Sequence, residues 1–457
     1  MVSDSLIVFY IRIFQEASVL SLTTERVVRP SAVRISSHLA PPDSSGNLLR
    51  YKDGGHLEYM MEEQSAAAAN QATPTRAPDP EYRGRLLYVC PEDRFFCTHF
   101  LERAVAAHKA GYEVLVLAPD TGSGPVITGK GLTFAPLALK RHGANPLAEL
   151  WGTAHLARLY RRLAPDIVHH IGLKLIFRGT LAARLARVPH IVNAPVGMGF
   201  VFSSQSPKAR LLRPIVRAAL KQLLAPESAC VVFENPEDQA ECLAMRAASY
   251  DQTVVIRGAG VDTEAFRPGP EPTGTPVVVM AARLLWDKGV GVFVDAARLL
   301  KVQGVNVRCV LVGGVDLANI ASVPEAQLKG WHEENLIEWR GFQKDIRPAL
   351  REATLLCLPT HYREGLPKVI LEAMAMARPV ITTDTIGCRE AVRDGDNGLL
   401  IPPRDPAALA AAITQLLADP LARKRMGRRG RERAEQEFAT PVVVGETLAL
   451  YARLIRP

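Results

Sequence analysis

The chain has 457 residues, more than one hydrophobic core normally supports, so two domains are expected. Hydrophobic residues at 48% and charged residues at 22% exclude disorder for most of the chain. The net charge of +8 suits a partner carrying negative charge, whether nucleic acid, a phosphorylated substrate or an anionic membrane surface; the seven scattered cysteines form no close pairs, which argues against a structural metal or disulfide framework and fits a reducing cytosol.

Residues 5–14, "SLIVFYIRIF", are too short for a membrane span and lack the flanks of a signal peptide. Residues 36–80 run through polar, Pro- and Ala-rich text without period, which predicts a disordered extension over 1–83. Alternatively, translation starts at Met60 or Met61; peptide mapping that recovers residues 1–59 from native cells excludes that start.

From Arg85 the pattern changes. The apolar run "RLLYVC", the helix-periodic "FLERAVAAHKAG", the run "YEVLVLAP" and then "APDIVHHIGLK" with "LAARLARVPHIVNAP" alternate strand and helix, the signature of a parallel sheet covered on both faces. Residues 262–276 are rich in Pro, Gly and Thr and read as a linker. Beyond it the alternation restarts with "VVVMAARL", "GVFVDAARLLKVQG", "VRCVLVGG", "LIEWRGF", "TLLCLP", "PKVILEAMA" and "PVITTD", followed by "RDGDNGLLIPP", read as a turn. The expectation is an α/β chain of two doubly wound, Rossmann-like domains facing a cleft, 84–262 and 275–435, with 436–457 a helix crossing back to the first.

In open parallel sheets ligands bind beyond the carboxyl ends of the strands. In "LCLPTHYREGLPKVILEAMA" a strand, a loop and a helix follow one another, with Pro367 placed for the first helical turn. The N–H groups of Leu366, Lys368 and Val369 and the positive end of the helix dipole make an anion site there. Glu364 lies in the loop before it. Glu372 lies about 7.5 Å along the axis from Pro367, among apolar residues where an unpaired carboxylate is costly by several kcal/mol; a ribose diol supplies two donors that satisfy it. In "MAARLLWDKG", Arg283 and Lys288 share one strand-to-helix loop, placed to cover a diphosphate from the other side, at about 1.5–3 kcal/mol for each charge-assisted contact. Together these features describe a nucleotide-sugar site, with the sugar at Glu364, the diphosphate at the helix start and the ribose at Glu372.

With "EGLPKVILEAMA" and "PVITTDTIGCREAVRDGDNGLLIPP", the chain resembles glycosyltransferase family 4, the retaining nucleotide-sugar transferases of the GT-B fold. The resemblance covers about residues 84–440. Within the family, "YVCPEDRFFCTHFLERAVAAHKAGYEV", "DIVHHIGLKLIFRGTLAARLARVPHIVNAPVGMGFVF" and "VVFENPEDQ" are similar to the group that extends undecaprenyl-diphosphate-linked glycans for capsule, O-antigen or protein glycosylation. The resemblance implies a hexose or N-acetylhexosamine donor, with UDP as carrier, and no cofactor or bridging metal, so Arg283, Lys288 and the helix start neutralise the leaving group. It implies retention by front-face attack without a protein nucleophile. Glu364, Arg283 and Lys288 are expected at the reacting centre, with Gly341, Phe342, Gly365, Leu366, Lys368 and Glu372 completing the donor site; His169 and His170, at the end of the apolar run in "DIVHHIGLK", either join the reacting centre as partners of a sugar or phosphate or fill a packed site. Where many members carry a Gly-Gly loop after the first strand, this chain reads "CPEDRFFCTHF", a departure that withdraws that loop's phosphate contact from the expectation. "DGD" at 394–396 reads as a turn between "REAVR" and "NGLLIPP" rather than as a metal motif.

The first domain is expected to hold the acceptor, with His99, Lys174, Gly197 and Gly199 as candidates. Residues 207–224 combine Arg210, Arg213, Arg217 and Lys221 with apolar Leu212, Ile215, Ala219 and Leu223 at helical spacing. This pattern fits docking on an anionic membrane surface, at about 1 kcal/mol per cation, on the inner face of a bacterial plasma membrane; it fits equally a helix packed on the core with a solvated basic face. The run "ARKRMGRRGRER" lacks the interleaved aromatics of a nucleic-acid binder. Two other functions share the fold, a UDP-N-acetylglucosamine 2-epimerase and a non-enzymatic scaffold of a glycan assembly complex. Acceptor-dependent release of UDP separates the transferase from the first, and the intact Arg283, Lys288, Glu364 and Glu372 argue against the second.

Overall fold

A computed structural model describes residues 82–137, 146–197, 207–316, 319 and 321–455. The extension and the start-site question concern residues outside this set, as does Gly199. Two parallel sheets organise the chain.

The first sheet holds β1 (Gly84–Val89), β2 (Tyr112–Ala118), β3 (Thr133–Pro136), β4 (Ile167–Ile171), β5 (His190–Ala194), β6 (Ala229–Phe233) and β7 (Thr253–Val255), in the order β3-β2-β1-β4-β5-β6-β7. Its connections carry α1 (Asp93–His99), α2 (Leu101–Lys109), α3 (Gly124–Thr128), α4 (Pro146–Leu163), α5 (Leu173–Ala186), α6 (Pro207–Leu223) and α7 (Pro236–Ala244). Both faces are buried: Leu86 and Tyr88 join one core, while Leu87 and Val89 join the other with Tyr160. The continuous apolar runs read from sequence follow from this two-sided burial.

The second sheet holds β8 (Val277–Ala281), β9 (Arg308–Val312), β10 (Glu338–Trp339), β11 (Leu355–Leu358), β12 (Val380–Thr383) and β13 (Gly398–Ile401), in the order β10-β9-β8-β11-β12-β13. Around it lie α8 (Val290–Val302), α9 (Glu325–Glu333), α10 (Arg347–Glu352), α11 (Lys368–Ala375), α12 (Ile386–Ala391), α13 (Pro406–Ala418) and α14 (Pro420–Glu437), and α15 (Thr440–Ile455) returns to the first sheet. The run read as a turn, "RDGDNGLLIPP", contains strand β13, because Gly398–Ile401 pairs in parallel with β12 at the sheet edge; only Arg393–Asn397 turn, with Gly395 at φ +75°. Asp394 there accepts the Leu400 N–H and Asp396 pairs with Arg429.

The basic run read from sequence lies in α14. Two of its arginines are spent within the molecule: Arg431 donates to the carbonyls of Thr263, Phe266 and Ala375, and Arg433 to that of Ala391 and to the Glu437 carboxylate. The chain passes between the sheets twice, side by side. The Val261 N–H donates to the Phe438 carbonyl and the Thr440 N–H to the Val261 carbonyl, each at 2.9 Å. Beyond this crossing α15 packs on α2, and the buried Tyr451 hydroxyl meets Tyr88 at 2.7 Å and His169 Nδ1 at 2.8 Å. Tyr451→Phe is therefore expected to lower stability by about 1–3 kcal/mol, because it strands two buried polar groups; an unchanged urea midpoint would show the hydroxyl to be idle. Among the described residues no helix is long and apolar enough to cross a membrane.

Candidate active site

In the second sheet the strand order reverses between β8 and β11, neighbours in the sheet. The loops that follow these two strands meet there, at the switch point where open α/β sheets take ligands. After β8 the chain makes a 3₁₀ turn, Trp286–Lys288, which ends at Gly289 with φ +82°. Only glycine serves at 289, since a Cβ would overlap the Pro359 carbonyl that follows β11. The Asp287 carbonyl accepts from the N–H groups of His361 and Tyr362 and from the Thr360 hydroxyl, which fastens one loop to the other.

This fastening brings Lys288 to Glu364. The two pair directly, with side chains 16% and 13% exposed, and the Thr360 hydroxyl, which shares its one hydrogen with the Asp287 carbonyl, lies 3.2 Å from the same carboxylate oxygen. Lys288 Nζ also lies 5.8 Å from the centroid of the Tyr362 ring. Arg283 is the exposed partner of the loop, 3.7 Å from Asp316. Helix α11 begins at Lys368, with Pro367 as its N-cap rather than within its first turn. Lys368 Nζ donates to the Thr98 carbonyl of the first domain at 2.8 Å and lies 4.0 Å from Glu372. Glu372, 14% exposed, is pushed up to about 7 by burial, with Lys368 opposing. That is the strained carboxylate the apolar surroundings predict. Gly341, at φ +65°, accepts the Gly313 N–H, and Phe342 beside it is exposed on the same loop edge.

The first domain meets the 363–368 loop through several groups. Gly197, at φ +90°, lies so close that a Cβ would sit 3.2 Å from the Arg363 carbonyl and 3.3 Å from the Gly365 nitrogen. Asn235 donates to the Gly365 carbonyl at 3.3 Å while its own oxygen caps α7. Arg363 pairs with Asp238, buried, and with Glu241 at 2.5 Å. His99 stacks on Phe95 at 4.1 Å; burial holds it down at about 4, with Lys368, Arg103 and Lys288 adding to the effect, so the ring is neutral beside the anion site.

Two sequence-level site residues require correction. Alternation along β4 sends His169 and His170 to opposite faces, and both are buried. His170 sits between Asn193 Oδ1 at 2.9 Å and the Tyr160 hydroxyl at 3.1 Å, packed on Gly179, and burial holds it near 4. It is a core histidine. His169 stacks on Tyr88, with ring centroids 5.1 Å apart, and burial keeps it neutral too. Neither reaches the cleft as a reacting group. Lys174, on the first turn of α5, lies 3.6 Å from Glu149, which also pairs with Arg178, so it belongs to an ion cluster of the first domain.

Comparison with known proteins now has a geometry to explain. A model described as "Glycosyl transferase 4-like" matches residues 85–225, and one described as "Glycosyl transferases group 1" matches residues 275–419. The putative glycosyltransferase EpsD of Bacillus subtilis is 31% identical over 301 residues, which cover 63% of this chain and 76% of that protein. The chain belongs to the group 1, family 4-like glycosyltransferases. The transferase is also 27% identical, over 75% of its length and 92% of the relative, to the N,N'-diacetylbacillosaminyl-diphospho-undecaprenol alpha-1,3-N-acetylgalactosaminyltransferase of Campylobacter jejuni. Among solved structures, a glycosyltransferase from Rickettsia africae matches with a TM-score of 0.66 at 18% identity, covering 83% of the transferase and 100% of that chain. HepE of Anabaena, in complex with UDP, matches with a TM-score of 0.64 at 18% identity, covering 81% and 100%. Two parallel sheets facing a cleft are the GT-B fold expected from the sequence.

Sequence reasoning passed over Thr360, Tyr362, Arg363 and Asp238, whose roles arise from loop-to-loop fastening between distant segments. It also passed over Glu234. This residue directly follows the apolar strand β6, and an acid at a strand end in "VVFENPEDQ" was the available signal.

Proposed function

We propose that this transferase moves a hexose or N-acetylhexosamine from a nucleotide sugar, with UDP as the carrier, to an undecaprenyl-diphosphate-linked glycan in surface polysaccharide or glycoconjugate synthesis. The observation that carries the reading is the convergence of Lys288, Glu364 and the start of α11 at the switch point, with the strained Glu372 one helix face away. The activity of the Campylobacter jejuni relative and the UDP held by HepE support it.

On this reading the diphosphate lies at the N-terminus of α11, where free N–H groups and the helix dipole favour negative charge, and Lys288, Lys368 and Arg283 neutralise the departing nucleotide. Glu364 orients the sugar, held in place by Lys288 and Thr360. Glu372 accepts from the ribose diol, whose donors relieve its burial. The acceptor hydroxyl attacks the anomeric carbon from the face the diphosphate leaves, the anomeric C–O bond to phosphate breaks, and the leaving phosphate oxygen takes the hydroxyl proton. Configuration is retained. Positioning alone can supply about 7–11 kcal/mol of such a barrier.

On the acceptor side, His99 and Gly197 line the cleft opposite this loop. The basic groove beside α6, lined by Arg210, Arg213, Arg217, Lys221 and Arg246, offers docking on an anionic leaflet, while Ala219 and Leu223 of the same helix pack inward. Pelleting with anionic vesicles that is absent, or indifferent to salt, would count against this docking. The test of the whole reading is a thermal-shift panel of UDP-, GDP-, ADP- and dTDP-sugars followed by release of free UDP. Stabilisation by one nucleotide class and release dependent on lipid-linked acceptor are expected. Release without acceptor, or no stabilisation by any nucleotide sugar, would overturn it.

A further inference from the structure

One carboxyl of the first domain stands against the loop that the donor needs. Glu234, at the end of β6, lies against the Gly365 backbone of that loop. A Cβ at Gly365 would overlap its carboxylate, so only a glycine lets the loop backbone lie this close to that side chain. Behind it, buried Arg103 of α2 donates to the Gly258 carbonyl, and Gly258 in turn packs on the Leu366 side chain. Arg103 keeps its Nε without a hydrogen-bond partner. The carboxyl of Glu234 and the guanidinium of Arg103 attract each other across this gap. Gly365 and Leu366 are thereby met by first-domain groups, the one by Glu234 and the other by Gly258.

Resting on the transferase reading above, we propose that Glu234 is the first domain's own competitor for the donor: its carboxylate stands against the loop backbone at Gly365 and must move away, or lose its charge, before the diphosphate of the nucleotide sugar can settle on that loop. The chemistry follows from like charges. An ionised carboxyl beside a diphosphate opposes it, whereas the protonated form does not and has a hydrogen to donate to a phosphate or sugar oxygen. Burial pushes Glu234 up to about 7; Arg103 opposes this, and Asp238 of α7 and Glu364 of the donor loop add to it. Glu446 of α15 acts on the same site through Arg103. A proton is therefore available near neutral pH, and donor binding takes one up, so affinity improves as pH falls through about 7.

The diphosphate of a nucleotide sugar is a diester with no proton to gain or lose near neutrality, so it is the right probe, whereas free UDP is not. Binding of the best UDP-sugar of the panel is measured by calorimetry from about pH 5.5 to 8.5 for the full-length wild type and for Glu234→Gln. Glu372 titrates in the same range but is present in both proteins, so it cancels in the ratio of dissociation constants. That ratio, wild type over variant, is expected near one at the acid end and about tenfold at the alkaline end, as for one unit of proton coupling. A ratio that does not change with pH would overturn the proposal, because a purely structural role weakens or spares binding equally at every pH. Glu234→Ser removes charge and volume together and must show the same rise, which keeps the test valid if the amide disturbs the packing. If no UDP-sugar binds the wild type at any pH, the donor reading itself falls and this inference with it.

Discussion

Lys288→Ala is expected to lower kcat/KM by about 10²- to 10³-fold, the usual consequence of removing one group aimed at a developing anion. Lys288 is positioned by a turn that ends in a left-handed glycine and is closed by three hydrogen bonds onto the Asp287 carbonyl. Its ammonium therefore does not have to search for the diphosphate. The substitution also strips Glu364 of its cation, leaving one Thr360 hydroxyl to satisfy a carboxylate that is 13% exposed. Breaking such a pair from one side costs about 3–5 kcal/mol, so a fall in melting temperature is expected alongside the fall in activity. Lys288→Arg separates the two effects: it keeps the charge but changes its shape and reach, and it should restore most of the stability while restoring less of the rate. Activity within threefold of wild type in a folded Lys288→Ala protein would remove Lys288 from the chemistry.

Glu372→Gln is expected to have opposite effects on binding and on stability. Donor affinity should fall about 10- to 100-fold, as a charge-assisted contact of about 1.5–3 kcal/mol to the ribose is replaced by a neutral one. Stability without donor should rise. The carboxyl lies above its ordinary 4.5, at about 7, because burial disfavours the anion. Between those values the folded chain keeps a proton that the unfolded chain has lost, so stability declines as pH rises through this window and stays reduced above it. The glutamine variant is free of that decline. It should melt with wild type near pH 4.5 and a few degrees above it at pH 8, from a gain of about 1–3 kcal/mol. Equal melting curves at pH 8 would mean that Glu372 is not strained, and unchanged donor affinity would place the ribose elsewhere.

The donor half of this site was legible because its residues lie in two short segments whose local structure follows from strand, loop and helix periodicity. Lys288 and Glu364 needed only the switch-point rule to be placed near one another. The acceptor half was less legible. The text "DIVHHIGLK" announces histidines near a strand end, but period-two alternation in a strand covered on both sides sends each of them into a core. Nothing local distinguishes that outcome from a cleft residue. The short helix Asp93–His99 was equally hidden: its Asp93 accepts the N–H groups of Thr121 and Ser123, a pairing between segments 28 and 30 residues apart. Glu234 depends on a meeting between residues more than a hundred positions apart, which no window of sequence contains.

The paired crossing at Val261 and Ala439 has a consequence for the architecture as a gene product. Everything between these two residues, the whole second sheet with its helices, leaves and re-enters the first domain at a single point, where the departing and returning strands bridge each other in parallel. In topological terms the second sheet with its helices is an insertion, and the host that receives it is completed only by α15, which follows the return crossing. Because its two ends emerge side by side, the unit is tied to its host by one doubled connection, and its own sheet closes without a strand from the first.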